Sequence, residues 1–261
     1  MAVALLCDAG AVRVFGDGRA HRAFAWDDTA LRRNSDMHDS TIALTRVLRT
    51  PSASTAGSAS PAVEPWRHGL PELRGARGIL RELRAEDGAA LLPLITAPEV
   101  TRFMSPTPEL PDWFTSFVAS TLRERKAGRY AGFAIVPHGH DHAVGLVQIR
   151  LLAPGFSTAE WGIALGSAWW GKGFFEDTGR LILRFAFETL GVHRLEARVA
   201  QQNGRGNAAV SKLGAVAEGQ LRRALRTADG QHHDQILWSW LVEEWRRDVA
   251  KRRTEELVWV H

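Results

Sequence analysis

Two closely spaced glycines, Gly171 and Gly173, are the residues of this chain whose spacing most directly suggests chemistry. They stand in segment 167–177, between a predicted strand and a predicted helix. Because glycine has no side chain, the backbone at both positions can approach a pyrophosphate and direct N–H groups toward it. A helix that begins near Phe174 would add the positive end of its dipole. The segment therefore predicts a binding site for a phosphate-bearing ligand. The alternative is a tight strand-to-helix turn without a ligand, which would contain the same glycines.

Apolar periodicity predicts the elements that must hold this loop. Alternation predicts strands at 79–83, 131–136, 143–150, 158–165, 193–199, 215–225 and 233–241. Helical spacing predicts helices at 86–95, 112–126, 174–190 and 206–213. This order of elements predicts a mixed sheet with helices on both faces.

Composition places the chain among globular proteins. Of its 261 residues 45% are hydrophobic and 24% are charged, and the net charge of +4 is too small an excess to dictate a polyanionic partner. The single cysteine, Cys7, excludes an intramolecular disulfide framework and a cysteine-only metal site, and it fits a reducing compartment. No apolar run reaches the roughly 18 residues that a membrane helix needs, and the first residues lack the basic start of a signal peptide. We therefore expect a cytoplasmic protein without membrane contact.

Three segments differ in composition. Residues 1–76 have poor apolar periodicity and contain a Ser/Ala/Pro-rich linker at 51–61, so we expect a poorly ordered N-terminal extension. Residues 77–247 carry the regular elements, and we expect them to form the functional domain. Residues 248–261 form a basic C-terminal tail that is predicted to lie on a helix.

Four stretches, taken in order, resemble one family. They are AEWGIAL at 159–165, WWGKG at 169–173, LGVHRLEA at 190–197, and NGRGNAAVSKLGA at 203–215 followed by EGQLR at 218–222. Together they resemble the GNAT acetyltransferase superfamily, and within it the ribosomal-protein N-terminal acetyltransferase type, over about residues 79–247. The resemblance implies an α+β fold, with a mostly antiparallel sheet of about six to seven strands flanked by helices and a splayed central strand pair. It also implies an acyltransferase that uses acetyl-CoA.

The resemblance places acetyl-CoA in a cleft where the strand ending at Leu165 parts from the strand ending near Val199, with its pyrophosphate on the loop 170–175. Residue-level physics agrees, because splaying leaves backbone N–H and C=O groups at 163–165 unpaired, and a pantetheine arm can satisfy them as an added strand would. The coenzyme-binding residues that the resemblance implies are Ile163, Ala164, Leu165, Trp170, Gly171, Lys172, Gly173, Phe174, Phe175, Asn203 and Asn207.

The glycine loop departs from the family pattern at both ends. Family members usually start the loop with Arg or Gln and finish it with Gly or Ala, whereas this chain has Trp170 and Phe175. Phe175 is bulky enough to crowd a phosphate, and Glu176 and Asp177 would repel one unless they point outward. Many members also carry a tyrosine near position 210 that protonates the departing thiolate. The only tyrosine here, Tyr130, lies far away in sequence, so the protonating group stays unassigned.

Glu160 is the candidate general base. On a strand its side chain points opposite to Trp161 and Ile163, so it faces the cleft if those two pack inward, and it could act through a water. An exposed glutamate paired with an arginine is the alternative. An α-amino group, with a pKa of about 7.7–8.0, needs only a modest base. A backbone N–H near 163–165 could hold the oxyanion, and Ser211 could relay a proton to sulfur, although its helical position favours a surface serine.

The resemblance implies direct acetyl transfer to an amine, without a metal and without a covalent enzyme intermediate. The acceptor is left open between a protein N-terminus and a small molecule such as an aminoglycoside or a polyamine. The missing tyrosine and Phe175 leave a second class open, a non-catalytic acyl-CoA binding or sensing module. His138, His140 and His142 alternate as metal ligands can, but a solvated hairpin turn is their expected role. We expect no nucleic-acid partner, and a monomer or a homodimer.

Overall fold

The computed structural model describes residues 2–3, 65–106, 112–153, 155 and 157–258, which lie in one compact unit. Cys7 and the linker 51–61 lie outside the described residues. The described strands are β1 (Ala2–Val3), β2 (Leu73–Arg74), β3 (Gly78–Glu82), β4 (Tyr130–Pro137), β5 (Gly145–Leu151), β6 (Thr158–Leu165), β7 (Arg194–Ala200), β8 (Val216–Arg226) and β9 (His232–Leu241). The described helices are α1 (Gly88–Ile95), α2 (Pro98–Thr101), α3 (Trp113–Lys126), α4 (Phe174–Arg184), α5 (Gly204–Lys212) and α6 (Val242–Val258).

The strands form one sheet in the order β2-β3-β4-β5-β6-β7-β9-β8, and β1 pairs with the edge of β6. Every neighbouring pair is antiparallel except β6 and β7, which are parallel and are connected through α4. The predicted α+β fold with a mostly antiparallel sheet is therefore confirmed. The sheet is larger than expected, because β1 and β2 have two residues each and are too short to show an alternation.

Helices cover both faces of the central strands. On one face α4 packs against the β6 residues Trp161 and Ile163, which are fully buried. On the opposite face α1 and α3 pack against β4 and β5 and against Ala164 of β6. Because both faces are covered, β4 is buried at every position.

Residues 65–76 differ from the expected poorly ordered extension. They contain a short 3₁₀ turn at Pro65–Arg67 as well as β2, and Trp66 is 2% exposed within the main core. A lone buried tryptophan gives no periodic pattern, which is why the sequence did not predict it. At the other end α6 runs without a break across the expected boundary at 247–248.

The helix predicted at 174–190 forms in two parts. α4 is continued by a wider π turn at Phe185–Thr189, which ends at Leu190. Gly191 then adopts a φ of 68°, as a C-terminal glycine cap does. None of the helices in the described part of the chain combines the length and the apolarity needed to cross a bilayer.

Candidate active site

β6 and β7 pair over three residues and then part. The pairs are Thr158–Arg194, Ala159–Leu195 and Glu160–Glu196. Beyond them β6 continues beside β5 as far as Leu165, whereas β7 pairs with β9 over its whole length. Each strand follows a different neighbour, which opens a cleft between the end of β6 and the end of β7.

The β6 edge inside this cleft is occupied, which corrects the expectation of unpaired groups at 163–165. β1 lies against it in antiparallel register, with Ala2 beside Ala164 and Val3 beside Ile163. The physical reason is that unpaired N–H and C=O groups on a strand edge attract any extended backbone within reach. A pantetheine arm would use the same groups, so such an arm and β1 exclude each other at this edge.

The glycine loop leads from the end of β6 to the start of α4. Gly171 and Gly173 have positive φ angles of 72° and 82°, which favour glycine over other residues. A side chain at Gly171 would meet nothing within 4 Å, so only the backbone conformation requires glycine there. The first N–H groups of α4 have no acceptor within the helix, as at any helix start. The loop therefore has the geometry that an anion seat needs.

Trp170 ties the loop to the strand that it leaves. Its indole Nε1 donates a hydrogen bond to the Leu165 carbonyl at 2.8 Å. The Arg205 guanidinium lies 4.8 Å from the Trp170 ring centre, and Lys172 Nζ lies 5.4 Å from that of Trp169. The two indoles therefore hold two cations at the rim of the loop.

Phe174 and Phe175 turn into the core. Each is 8% exposed, and their rings lie 5.1 Å from Trp169 and 5.8 Å from Trp161 respectively. The Phe175 ring therefore lies in the core, which removes the physical reason to expect that it crowds a phosphate. These two residues offer an anion only their backbone N–H groups.

Glu176 and Asp177, in the first turn of α4, are engaged by partners outside the loop. The Lys212 ammonium, 2.9 Å from Glu176, is the main cause that lowers the pKa of Glu176 to about 2. Asp177 accepts hydrogen bonds from the backbone N–H groups of Ala76 and Arg77 at 3.0 Å and 2.8 Å. Both carboxylates are thus occupied by other partners.

Asn203 and Asn207 hold the start of α5 against the end of β7. Asn203 Oδ1 accepts a hydrogen bond from the Gly206 N–H at 3.0 Å. Asn207 Nδ2 donates to the Ala200 carbonyl at 3.0 Å, and Asn207 Oδ1 accepts from Trp238 Nε1 at 2.9 Å. Both polar ends of Asn207 are engaged within the fold, where they shape the cleft wall.

Glu160 lies where β6 and β7 part, and it points away from the core side chain of Trp161, as predicted. It is only 3% exposed, so it is not the exposed glutamate of the alternative, but it does pair with an arginine as that alternative expected. Its Oε2 accepts a hydrogen bond from Arg150 at 2.9 Å. Its Oε1 is buried without a hydrogen-bond partner, and Arg198 Nε, also without one, lies 3.8 Å away. One oxygen is therefore hydrogen-bonded, and the other lies within ion-pair distance of a second guanidinium.

Charged residues continue from Glu160 across the neighbouring strands. Glu196 Oε1 accepts a hydrogen bond from Arg194 Nε at 2.8 Å, and Arg194 also donates to Glu218 at 2.7 Å. Arg194, followed by the Ser239 hydroxyl, lowers the pKa of Glu218 to about 2. The charges therefore compensate one another along this face of the sheet.

Tyr130 is closer to Glu160 than its sequence position suggests. In register it lies opposite Arg150, which in turn lies opposite Glu160. It is buried, and its hydroxyl donates a hydrogen bond to the Gln148 side chain. Ser211 is exposed on α5. Neither the position of Tyr130 nor that of Ser211 identifies the group that protonates the thiolate.

A cavity of about 580 Å³ opens beside the split. Its lining includes Glu99, Arg102, Trp170, Asn203, Arg205 and Asp229. A hydrogen bond from Ser167 lowers the pKa of Glu99, and one from Thr227 lowers that of Asp229. The cavity therefore presents two ionised carboxylates beside two guanidinium groups. The sequence did not predict α2, which contributes Glu99.

The histidine-rich hairpin turn is exposed at residues 138–142, as expected for a solvated turn, and two of its histidines also contact neighbouring segments. His138 Nε2 lies 2.9 Å from the Gly75 carbonyl oxygen, and the His140 ring packs edge-on against Trp169 at 5.2 Å. Within the described ranges no group of three or more His, Cys, Asp or Glu side chains is arranged to hold a metal ion.

Comparison with known proteins shows which family has a sequence like this one. The sequence matches the acetyltransferase (GNAT) domain family over residues 77–216, more than half of the chain. The uncharacterized N-acetyltransferase p20 of Bacillus licheniformis is 29% identical over 171 residues, which cover 64% of this chain and 93% of that protein. YdaF of Bacillus subtilis, provisionally named a ribosomal N-acetyltransferase, is 30% identical over 101 residues, which cover 39% of this chain and 55% of that protein. The structure of Mycobacterium smegmatis RimJ in complex with CoA-disulfide is 26% identical with a TM-score of 0.57, covering 67% of this chain and 87% of RimJ.

Proposed function

Because the chain belongs to the GNAT acetyltransferase family and is an acyltransferase, we propose that it moves the acetyl group of acetyl-CoA directly to an amine, with no metal and no covalent enzyme intermediate. The observation that carries the proposal is the glycine loop, placed directly after the strand that parts from its neighbour. The loop offers N–H donors for the diphosphate, and the split offers a strand edge for the pantetheine arm. When bound, acetyl-CoA supplies the thioester carbonyl that the amine attacks.

The residues of the loop fit this coenzyme. Phe174 and Phe175 present only backbone, and Glu176 and Asp177 are engaged by other partners, so nothing bulky or anionic opposes a diphosphate. Lys172 adds a positive charge at the rim. β1 must leave the β6 edge for the pantetheine arm, which breaks backbone hydrogen bonds whose net contribution is about 0.5–1.5 kcal/mol each.

In this proposal Glu160 accepts the proton of the attacking amine, directly or through a water. Arg150 fixes its Oε2, and Oε1, which has no hydrogen bond but lies 3.8 Å from Arg198 Nε, is the oxygen that would accept the proton. Backbone N–H groups at 163–165 stabilise the developing oxyanion once β1 has left them.

For the acceptor we propose a protein N-terminus, with the cavity beside the split as its binding place. An α-amine has a pKa of about 7.7–8.0, so a modest base suffices. Glu99 and Asp229 would attract the positively charged acceptor to the cavity, from which its amine would reach Glu160 and lose its proton, while Arg102 and Arg205 would accommodate acidic groups of a peptide. For an aminoglycoside or a polyamine as the acceptor, we would instead expect a cavity lined by acidic groups alone. The name of YdaF, which is provisionally a ribosomal N-acetyltransferase, also favours a protein acceptor.

A free-thiol release assay with acetyl-CoA tests this proposal, and the single Cys7, which fits a reducing cytoplasm, is a background thiol to correct for. The acceptor panel contains peptides with free N-termini, N-terminally blocked copies of the same peptides, free amino acids, amino sugars and polyamines. We expect release with the free peptides and none with the blocked copies. Release with amino sugars or polyamines alone would contradict the proposed acceptor. Binding of acetyl-CoA without release for any amine would contradict the transfer itself.

A further inference from the structure

Arg77 reaches the glycine loop from another part of the sheet. It lies in the turn between β2 and β3, at the edge where β4 ends and β5 begins, and where β6 also ends. A Cβ atom at Gly173 would lie 3.3 Å from Arg77 Nε and 3.7 Å from its Nη2. Gly173 is the residue that precedes the first turn of α4. The Arg77 guanidinium therefore lies beside the helix start at which the proposed diphosphate would be bound.

Three hydrogen bonds fix the backbone that carries Arg77. Asp177 accepts from the N–H groups of Ala76 and Arg77 at 3.0 Å and 2.8 Å, and the His138 N–H donates to the Arg77 carbonyl at 3.1 Å. A Cβ atom on Gly75 would overlap the Asp177 carboxylate, so this close approach requires glycine. The turn is thus tied to α4, which carries Asp177.

The Arg77 side chain is exposed, and no carboxylate of the described residues pairs with its guanidinium. Asp177 directs its two oxygens at backbone N–H groups instead. Arg74, three residues earlier, differs because it pairs with Glu72 at 2.5 Å. Arg77 therefore keeps its charge and its planar set of donors available for an anion.

We propose that Arg77 binds the diphosphate of acetyl-CoA from outside the glycine loop, and that Asp177 positions it. The proposal rests on the proposed function of that loop. It accounts for Trp170 at the start of the loop, whose only side-chain donor is already bonded to the Leu165 carbonyl. A guanidinium can bind two phosphate oxygens at once through charge-assisted hydrogen bonds, so Arg77 supplies what the indole cannot.

Calorimetry on the full chain with three probes tests the assignment of Arg77. Arg77→Ala should weaken binding of CoA about tenfold or more, and binding of dephospho-CoA by the same factor, because both carry the diphosphate. Pantetheine lacks the diphosphate, so its affinity should not change. Arg74→Ala removes an equal charge nearby and should leave all three affinities unchanged. Arg77→Lys keeps the charge but loses the planar pair of donors, so its CoA affinity should lie between those of the wild type and Arg77→Ala.

A double-mutant cycle tests the role of Asp177 as a positioning residue. Asp177→Ala should weaken CoA binding in the wild-type background, and much less in the Arg77→Ala background, since its effect passes through Arg77. A merely structural role would weaken CoA binding equally in both backgrounds and lower the melting temperature of both.

Three outcomes would overturn the proposal. If Arg77→Ala and Arg74→Ala bind CoA as the wild type does, Arg77 is not a ligand and the proposed function stands. A loss seen with CoA but not with dephospho-CoA would assign Arg77 to the 3′-phosphate instead of the diphosphate. Absence of CoA binding by the wild type would overturn the proposed function, and the role of Arg77 with it.

Discussion

The two ends of the split between β6 and β7 are built in opposite ways. At the glycine loop, backbone conformation matters most: Gly171 and Gly173 have positive φ, and the nearby carboxylates are engaged elsewhere. At the point where the strands part, side-chain charge matters most, because Glu160 lies between Arg150 and Arg198. The glycine conformations of the first arrangement depend on residues close in sequence, whereas its carboxylates are engaged by distant segments. The second exists only once strands from distant parts of the chain have paired.

The largest effect is expected where the strands part. Glu160→Gln removes the proposed proton acceptor and keeps the size of the side chain, so turnover should fall by about 100-fold with little change in CoA affinity. Thiol release measures the first quantity and calorimetry the second. Glu196→Gln is the matched control, because Glu196 lies opposite Glu160 but is bonded to Arg194. Unchanged turnover of Glu160→Gln at every pH tested would remove Glu160 from the mechanism.

A tenfold effect is expected at the loop. Gly173→Ala places a Cβ atom at a φ of 82°, only 3.3 Å from Arg77 Nε. The strain of about 1–2 kcal/mol should shift the loop and lower CoA affinity by about tenfold. Gly191→Ala, at a φ of 68° with open space around it, carries a similar strain at the other end of the helical segment. It should lose stability but keep its CoA affinity. If both variants bound CoA with the same affinity, the glycine loop would matter no more for CoA binding than the cap at Gly191.

A smaller effect of opposite sign is expected at the β6 edge. Replacing Ala2 and Val3 by proline together removes two N–H donors from the strand that covers Ile163 and Ala164. Since one hydrogen bond contributes about 1 kcal/mol net, CoA affinity measured by calorimetry should rise about fivefold. Turnover at saturating acetyl-CoA should stay as in the wild type. An unchanged CoA affinity would mean that β1 does not compete with the coenzyme.

The smallest effect is expected at Glu218, a charge on the same polar face but beyond the split. Its pKa in the folded protein is about 2, below the ordinary 4.5, chiefly because of Arg194. The ion pair therefore stabilises the fold fully above about pH 4.5, and this contribution is lost as the pH falls toward 2. Between about pH 6 and about pH 3 the wild type should lose about 2–4 °C more in melting temperature than Glu218→Gln, a small difference because the pair is partly exposed. Equal losses would show that this pair does not stabilise the fold.

Features that depend on local pattern could be predicted from the sequence. β6 was predicted with its observed bounds, and the segment 174–190 is helical up to the predicted glycine cap. The direction of Glu160 followed from strand alternation alone. The glycine pair was recognisable because positive φ is a property of single residues.

Contacts between distant segments could not be predicted. Asp177 and Arg77 are 100 positions apart, and Arg150 meets Glu160 only through the register of β5 with β6. β1 is too short for any periodic signal. One clue was available: with a tryptophan in place of Arg or Gln at the start of the loop, we expect another residue to supply the polar side-chain donor, although the sequence does not say which.

The glycine loop is anchored on both sides, by the Trp170 bond to Leu165 and by the Asp177 bonds to the turn at 76–77. A doubly tethered loop has few alternative shapes, so capture of a ligand there costs little conformational entropy. Among the described residues, the rearrangement that the proposed binding requires is then the release of β1 from β6. We therefore expect the association rate to follow how often this short strand detaches, with the loop itself nearly unchanged between the empty and the loaded enzyme.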